Sequence, residues 1–551
     1  MDEGFYLTIP YRLIQGDCLL VDEWHVSQLA GFLLIPVLKL YLLVFRSTEG
    51  IYLAFRYIYL CFLGATTVVS YMILRKRDQK LAVLACMIFF MFTPNYVKLL
   101  NYNSIGLMGV WLSVVLMLTQ TRFVRTKYVI LGVLLAVVVL CNPYMALLYF
   151  LYTIICMTGN FSGLIPGRNI HPDGAEAGLY QERAGRGTIQ EREELFGLKA
   201  WMFVTVGAGI LLAIFLVFLL SRTTVAEITE NFVYIFWDPA HEKKTISNFF
   251  ESIIWFIDWF KWFFLVFGAG VLGAVFCPKL RKLMYIGLML LSVLLWVLLV
   301  VFKSPGVGKH MIMLPLTMLG GTAFALTREK AWDIFIKGWM VGIVYAVCMN
   351  LSSNQGVYVM CNACTISSCV SLFLIRDFFE EHPEWRSRSW WLAALAAAQL
   401  LSEAGVNLRA VYGEDNISAL TCQIEQGPQK GIWTTEEKKE DYNINFENIK
   451  SIGNLAGKTI MFFNYFPCGY LAANEAENGA FSAWVPEYKR LDSGRLPVYY
   501  EFHPDKVPDV IYIDTLAVLE WPEDEWDDWC RQNHYLREDF PRGGSVMLLQ
   551  E

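Results

Sequence analysis

Apolar stretches of about 20 residues recur along most of the chain, and they limit the possible folds more than any other feature. A helix needs roughly 20 mostly apolar residues to cross a bilayer, so each stretch predicts a crossing. The composition agrees, because 56% of the 551 residues are hydrophobic and only 17% are charged, which is too apolar for an ordinary soluble protein. The stretches lie near 51–74, 81–98, 103–120, 128–158, 199–220, 253–276, 284–302, 310–327, 334–352, 355–375 and 389–411.

The stretch from residue 128 to 158 is too long for a single crossing. Asn142 and Pro143 stand in its middle, and proline removes a backbone donor and disfavours helix in the residue before it. We therefore expect two helices here. With this division, the predicted all-α membrane domain, residues 51–411, has about twelve crossings.

Lys and Arg in the short loops predict the orientation, because cytoplasmic loops carry an excess of these residues. Every second loop is basic, beginning with the cluster at 75–80. Counting the apolar run 27–45 as a crossing would place that cluster outside. We assign the run to an interfacial helix instead, which Pro36 and Lys39 favour. The extracytoplasmic parts are then 1–50, 221–252, 303–309 and everything from 412 onward.

The last part of the chain differs in composition from the rest. Residues 412–551 contain 12 Lys and Arg against 25 Asp and Glu, a net charge of −13, whereas the preceding residues carry +7. This acidic balance argues against nucleic acid as a partner. The segments 455–465 and 507–518 are typical of buried strands, and the segment 522–533 is typical of an acidic amphipathic helix. We predict a small extracytoplasmic α/β domain over 412–551.

Two adjacent acids, Asp2 and Glu3, begin the hydrophilic stretch that precedes the first apolar run. Ionisable groups held at a bilayer surface are candidates for function. An acidic pair of this kind is more often a solvated end of a chain, so the pair alone favours catalysis only weakly.

The residues that follow give a more specific indication. Tyr6, Arg12, the pair Gly16-Asp17 and Arg56 are spaced along an amphipathic run. This pattern resembles the first extracytoplasmic loop of GT-C glycosyltransferases, nearest to the aminoarabinose transferase and protein O-mannosyltransferase branch. The resemblance implies a GT-C-like polytopic helix bundle, juxtamembrane helices within residues 1–50, and a soluble outer domain at the C-terminus. Such enzymes carry one helix before the acidic pair, so we expect one further helix ahead of Asp2.

The resemblance also implies a reaction. GT-C enzymes of this branch transfer a sugar, with inversion, from a polyprenyl-phosphate donor in the membrane lipid to a glycan, lipid or protein acceptor at the outer face. An attacking hydroxyl needs a carboxylate as general base, and nearby negative charge stabilises the oxocarbenium-like transition state. We assign Asp2 as that base and Glu3 as its neighbour, which shapes the site or belongs to the surroundings of a metal ion. A bacterial plasma membrane is the expected setting.

Other residues are candidates for binding the substrates. The leaving lipid phosphate needs cations, and a short outer loop with Lys303, Lys309 and His310 supplies them. Basic residues also commonly anchor helix ends at the membrane interface, so an anchoring role for these three residues stays open. The pair Trp24–His25 likewise has two interpretations, contact with a substrate or anchoring at the level of the lipid headgroups. The predicted substrate-binding residues are Tyr6, Arg12, His25, Asn101, Asn103, Lys303, Lys309 and His310.

The chain departs from the family pattern in its next outer loop. The family usually places a second acid there, whereas this chain has Asn101 and Asn103, and asparagine cannot act as a base. No cofactor is therefore certain. If a divalent ion takes part, hard oxygen ligands favour Mg²⁺ or Mn²⁺. The candidate metal ligands are Asp238, His241 and Glu242.

Two other classes of protein fit parts of the sequence. A transporter or flippase of lipid-linked sugars would place charges or broken helices near the bilayer midplane, often in repeated halves, and no such repeat is evident. A non-catalytic membrane scaffold that presents its outer domain is favoured by the missing second acid.

A membrane-impermeant amine reagent tests the predicted orientation. In intact cells Lys39 should react, because residues 1–50 are assigned to the outside by the distribution of Lys and Arg. Reaction only after the membrane is opened would place this segment in the cytosol and contradict the assignment.

Overall fold

Most of the chain is described by the structure, which is a computed structural model. The described residues are 2–119, 121, 123–158, 197–236, 246–301, 311–327, 331–353, 357–381, 390–409, 411–414, 416–463, 466–473, 475–485, 491–492, 494–516 and 522–550, except for the side chains of Asp2, Ile246, Trp259 and Asn362.

The chain is mostly helical up to residue 409, as the apolar stretches predict. The helices are α1 (Asp2–Gln15), α2 (Ala30–Phe45), α3 (Ile51–Leu74), α4 (Gln79–Met91), α5 (Tyr102–Met117), α6 (Val124–Cys141), α7 (Ala146–Thr158), α8 (Leu198–Leu220), α9 (Val225–Phe236), α10 (Ile246–Trp259), α11 (Lys261–Phe276), α12 (Arg281–Val301), α13 (Leu314–Leu326), α14 (Trp332–Leu351), α15 (Val357–Ala363), α16 (Thr365–Glu380) and α17 (Trp390–Arg409).

Several of these helices are long and apolar enough to cross a membrane. Within the described residues there are 5 such helices, namely α3, α6, α8, α12 and α14, or 6 if α10 and α11, which are bent by 88°, count as one span. Further apolar helices of 10–17 residues include α2, α4, α5 and α13. These helices make the chain a multi-pass membrane protein, and the number of about twelve crossings stays a prediction.

The predicted break at Asn142 and Pro143 is confirmed. The helix α6 ends at Cys141, and a 3₁₀ turn over Pro143–Met145 separates it from α7. The Asn142 side chain accepts a hydrogen bond from the Tyr144 amide at 3.1 Å, so it caps the turn that the proline imposes. One long apolar stretch therefore becomes two helices.

The soluble domain follows α17 and is built on one mixed sheet. Five of the seven strands that the structure describes in this domain form the sheet, in the order β4 (Glu477–Asn478), β3 (Thr459–Phe463), β5 (Val510–Ile513), β7 (Ser545–Leu549) and β6 (Tyr535–Asp539). Strand β3 is parallel to β4 and β5, and β7 is antiparallel to β5 and β6. The other two strands, β1 (Cys422–Gln423) and β2 (Trp433–Thr434), pair with each other. The predicted strands and acidic helix of this domain are confirmed. Its elements are β1 (Cys422–Gln423), β2 (Trp433–Thr434), α18 (Glu436–Ser451), β3 (Thr459–Phe463), α19 (Gly469–Ala472), β4 (Glu477–Asn478), α20 (Leu496–Phe502), β5 (Val510–Ile513), α21 (Glu523–Gln532), β6 (Tyr535–Asp539) and β7 (Ser545–Leu549).

The segment before α2 packs against this C-terminal domain. Thr8 on α1 donates a hydrogen bond to the carbonyl of Pro467 at 2.9 Å, and the Trp24 amide donates to the carbonyl of Phe481 at 2.8 Å. The Trp24 ring is fully buried and stacks on Phe481, with ring centroids 5.6 Å apart. The two ends of the sequence therefore form one folded unit.

Arg12 is the centre of this interface. Its Nε lies 2.7 Å from Asp17 Oδ2 and its Nη1 lies 2.8 Å from Glu23 Oε2. Its Nη2 donates to the carbonyls of Asp22 at 3.2 Å and Ala480 at 2.9 Å. The side chain is only 1% exposed. We call these groups the Arg12 network, which ties α1, the loop after it and the C-terminal domain together.

Replacing Arg12 by Met should destabilise the protein strongly. The change leaves the Glu23 carboxylate buried without its cation and leaves Asp17 with Lys506 alone, at 2.9 Å, and breaking a buried ion pair in this way costs about 3–5 kcal/mol. Thermal unfolding of the purified protein measures the effect.

The control is Arg542→Met, because Arg542 pairs with Glu440 and Glu447 at the surface and such pairs contribute no more than about 1 kcal/mol. Equal unfolding temperatures for the two variants would show that the Arg12 network does not hold the interface.

Candidate functional site

The beginning of α1 lies against the beginning of α3. Arg56 Nε donates to Glu3 Oε1 at 2.9 Å, and Arg56 Nη2 donates to Glu3 Oε2 at 2.6 Å. Both carboxylate oxygens are therefore engaged in a two-point ion pair, which is the strongest geometry for such a contact. The pair is partly open to solvent, since the Arg56 side chain is 33% exposed and that of Glu3 is 11% exposed.

The connection between α4 and α5 adds a second cation. Lys98 lies on this connection with an exposed side chain, close to the Arg56 guanidinium. Among the described residues, Lys98 forms no ion pair. The same connection contains Asn95 and Tyr96 with φ of 50° and 62°, left-handed conformations that are uncommon for residues other than glycine. Strain of this kind clusters at functional sites.

Two of the predicted binding residues begin α5 and lie in the same region. Tyr6 on α1 meets Tyr102 edge to face, with ring centroids 5.5 Å apart, which brings α1 next to Asn101 and Asn103. Asn101 caps α5, because its Oδ1 accepts from the amides of Asn103 at 2.8 Å and Ser104 at 3.0 Å. Asn103 is buried, and its Oδ1 accepts no hydrogen bond from a described residue.

His25 lies on the other side of the start of α1. Its ring meets Phe5 edge to face at 4.5 Å and Trp484 of the C-terminal domain at 6.0 Å. The Ser27 hydroxyl lies 2.8 Å from His25 Nδ1. His25 is therefore a packing neighbour of α1 in this structure, and a role with substrate stays a prediction.

Arg12 is directed away from the candidate site. It is nine residues from Glu3 on the same helix, which is about 13 Å along the axis. All of its described contacts belong to the Arg12 network. The structure thus gives Arg12 a role in holding α1 in place, in contrast to the substrate contact that the sequence pattern predicts.

The start of α1 fits closely under the C-terminal domain. A Cβ added at Gly4 would clash with the Tyr52 hydroxyl and lie 3.1 Å from the Cys468 amide, so only glycine allows this approach. The segment with Cys468 follows β3, at the carboxyl end of a parallel strand, where α/β domains commonly present functional groups. Burial raises the pKa of the Cys468 thiol to about 12, so this cysteine serves in packing.

The remaining predicted site residues lie outside what the structure describes. This applies to the three cations of the outer loop, to the three candidate metal ligands and to the side chain of the predicted base. Within the described part of the chain, no group of three or more His, Cys, Asp or Glu could hold a metal ion. The predicted residues concerned are Asp2, Asp238, His241, Glu242, Lys303, Lys309 and His310.

Lys98 is the residue that the sequence pattern missed. It stands alone at the end of an apolar run, where a single charge resembles an ordinary interface anchor. Its importance follows only from the fold, which brings Lys98 near Arg56, the partner of Glu3. The site as described combines the Glu3 carboxylate and Arg56 at the beginning of α3 with Lys98 near Arg56 on the α4–α5 connection.

No family model matches the sequence, and no curated protein matches it. Among solved structures, the chain is similar to the archaeal oligosaccharyltransferase AglB from Archaeoglobus fulgidus, in complex with an inhibitory peptide and a dolichol-phosphate. The match covers 100% of this chain and 70% of that chain, with a TM-score of 0.42 and 11% sequence identity. A likeness at this level assigns no substrate, mechanism or catalytic residue to this chain.

A double-mutant cycle between Glu3 and Arg56 tests whether the site is held by their ion pair. With Glu3→Gln and Arg56→Gln, the coupling should reach about 1–3 kcal/mol, because both hydrogen bonds are charge-assisted. Thermal unfolding of the four proteins gives the value.

The matched control is the cycle between Glu49 and Lys430, whose side chains pair at 3.0 Å but are 48% and 53% exposed. That coupling should not exceed about 1 kcal/mol. A Glu3–Arg56 coupling as small as the control would mean that this pair does not fix the start of α1.

Proposed function

We propose that this protein is a GT-C-type glycosyltransferase that moves a sugar from a polyprenyl-phosphate donor to an acceptor at the outer face of the membrane, with inversion. The observation that carries the proposal is the ion pair of Glu3 with Arg56, which has a second cation, Lys98, near its guanidinium. Transfer from a lipid phosphate needs a carboxylate near the attacking hydroxyl and cations near the leaving group. These groups converge where membrane helices meet the soluble domain.

The two acids of the pair have different proposed roles. Both oxygens of Glu3 accept hydrogen bonds from Arg56, so we give Glu3 the role of holding the first turn of α1. Asp2 is adjacent in the sequence and is the proposed general base. In this arrangement Glu3 and Arg56 fix the first turn of α1, and α1 in turn presents Asp2 to the acceptor hydroxyl.

The leaving phosphate requires positive charge from several directions. Lys98 is a suitable contributor, because among described residues it has no carboxylate partner. We propose that Lys303, Lys309 and His310 complete this cationic set, with the lysines acting as point charges on the phosphate oxygens. A Mg²⁺ or Mn²⁺ ion held by Asp238, His241 and Glu242 is a further element of the proposal.

The sugar needs hydrogen-bond partners and an aromatic surface that packs against its ring. Asn103 supplies its buried Oδ1 as a hydrogen-bond acceptor. The Tyr6 ring lies near Asn103, because it contacts the ring of the preceding residue, Tyr102. We propose that His25 continues the aromatic surface formed by Tyr6 toward the C-terminal domain. We propose that these groups bind the donor sugar and that the C-terminal domain, placed outside a bacterial plasma membrane, receives the glycan, lipid or protein acceptor.

Asp2→Asn is the direct test of the proposed mechanism. Loss of a general base typically lowers the rate by about 10²–10⁴-fold, whereas donor binding should change little because the amide keeps the shape of the side chain. Purified protein is assayed for sugar transfer or release with radiolabelled polyprenyl-phosphate glucose, mannose and aminoarabinose, and donor binding is measured separately.

Glu49→Gln is the matched control, an exposed acid in the same N-terminal segment whose loss should leave transfer unchanged. If no donor is turned over by the wild-type protein, or if Asp2→Asn is as active as Glu49→Gln, the proposed function is wrong.

A further inference from the structure

The helix α9 exposes a set of large apolar side chains. Val225, Phe232, Val233 and Phe236 are each between 50% and 67% exposed, and their spacing puts them on one side of the helix. The rings of Phe232 and Phe236 contact each other, with centroids 5.0 Å apart. We call these four side chains the α9 apolar face. A contiguous exposed apolar surface of this kind marks a site of contact with a partner or a membrane.

The rest of α9 is either charged or buried. Glu227 and Glu230 are exposed and lie on the side away from the α9 apolar face, whereas Asn231 and Ile235 are buried. These two acids are the charged residues of the helix, which contains no Lys or Arg. A short helix with one apolar and one charged side is typical of a segment that lies in the plane of a membrane surface.

The buried side of α9 is attached to both ends of the sequence. Trp24 Nε1 donates to Asn231 Oδ1 at 3.0 Å, and the Trp24 ring stacks on Tyr234 with centroids 5.0 Å apart. From the C-terminal domain, Arg495 Nη1 donates to the carbonyl of Tyr234 at 3.3 Å. These contacts fix the rotation of α9 about its axis, so the α9 apolar face stays directed away from the soluble domain.

The chain before α9 indicates where this helix lies. The helix α8 is long and apolar enough to cross a membrane, and it ends at Leu220. The distance from Leu220 to Val225 is at most about 18 Å, so α9 begins close to the membrane surface. Between them, Arg222 donates to the carbonyl of Leu13 on α1 at 2.7 Å. Because α1 packs on the C-terminal domain, α8 ends on the side of the membrane where that domain lies.

The last turns of α8 carry an exposed apolar surface as well. Leu216, Val217 and Leu220 are exposed, as expected of side chains that face acyl chains in a membrane-spanning helix. Along the sequence, a lipid-facing surface is therefore followed, after the connection 221–224, by the α9 apolar face.

We propose that α9 lies in the headgroup layer of the bilayer, on the side of the C-terminal domain, with the α9 apolar face inserted among the lipids. Helices of this kind bury their apolar side about 5–10 Å into the boundary between headgroups and acyl chains. Both charges of α9 are negative, so its attachment rests on apolar contact and needs no anionic lipid. The helix thereby holds the C-terminal domain and Trp24 against the membrane surface. This role goes beyond the proposed function and does not depend on it.

Fluorine NMR of the whole protein in phosphatidylcholine nanodiscs tests the placement. Trifluoromethylphenylalanine replaces Phe232 in one sample and Glu230 in a matched control, since both positions are exposed but lie about 160° apart around the helix. A nitroxide near the top of the lipid acyl chain should relax the fluorine at the Phe232 position several-fold faster than at the Glu230 position. A water-soluble gadolinium chelate should give the reverse order.

Each other result overturns the proposal. Stronger relaxation of the Phe232 position by gadolinium would place the α9 apolar face in water. Weak relaxation by both agents would show that protein covers it, either a second copy of the chain or another of its segments. A label at Phe236, which should behave as the label at Phe232 does, decides the question if the first labelled protein does not fold.

Lipid composition tests the source of the attachment. Adding phosphatidylglycerol to the nanodiscs should leave the relaxation by the nitroxide lipid unchanged at the Phe232 position. A several-fold increase that appears only with the anionic lipid would contradict an attachment through apolar contact.

Hydrogen exchange tests whether lipid contact holds α9 in place. In nanodiscs, the double variant Phe232→Ser and Phe236→Ser should exchange its α9 amides several-fold faster than the wild-type protein, while β5 stays protected. The control Glu230→Ser should leave exchange unchanged. The same α9 exchange in the double variant and in the control would overturn the anchoring role.

Discussion

The buried guanidinium of Arg12 is the interaction on which the rest of the structure depends. It neutralises two carboxylates and satisfies two carbonyls, one of them on the C-terminal domain. Because α1 is a continuous helix from Asp2 to Gln15, fixing it at Arg12 also fixes its first turn. The second attachment, Glu3 to Arg56, then joins that turn to α3. The N-terminal helix is thus held at both ends, by the soluble domain and by the membrane domain.

Local features of the sequence predict the elements well and their assembly poorly. The break at Pro143, the strands β3 and β5 and the acidic helix α21 all follow from nearby residues, since proline geometry and hydrophobic periodicity act over a few positions. The contacts of Thr8 with Pro467 and of Arg12 with Ala480 join residues more than 450 positions apart. No local pattern carries that information.

The same distinction explains the mixed outcome for the candidate site. Tyr6 lies next to the start of α5 through its contact with Tyr102, and Glu3 pairs with Arg56, so a role of these residues with substrate stays a prediction. Arg12 is occupied by its own network, and His25 is packed between aromatic rings. Lys98 drew no attention in the sequence because it is a lone charge within an apolar stretch. Its surroundings, with Arg56 nearby, exist only in the fold.

Hydrogen exchange of α1 in the intact protein tests most directly whether this helix is held at both ends. The amides of residues 5–13, apart from Pro10, which has none, should exchange as slowly as those of β5, because they open only when the interface between α1 and the C-terminal domain opens. Exchange of these amides as fast as in an unstructured peptide, while β5 stays protected, would contradict the anchoring by Arg12 and the placement of the acidic pair that follows from it.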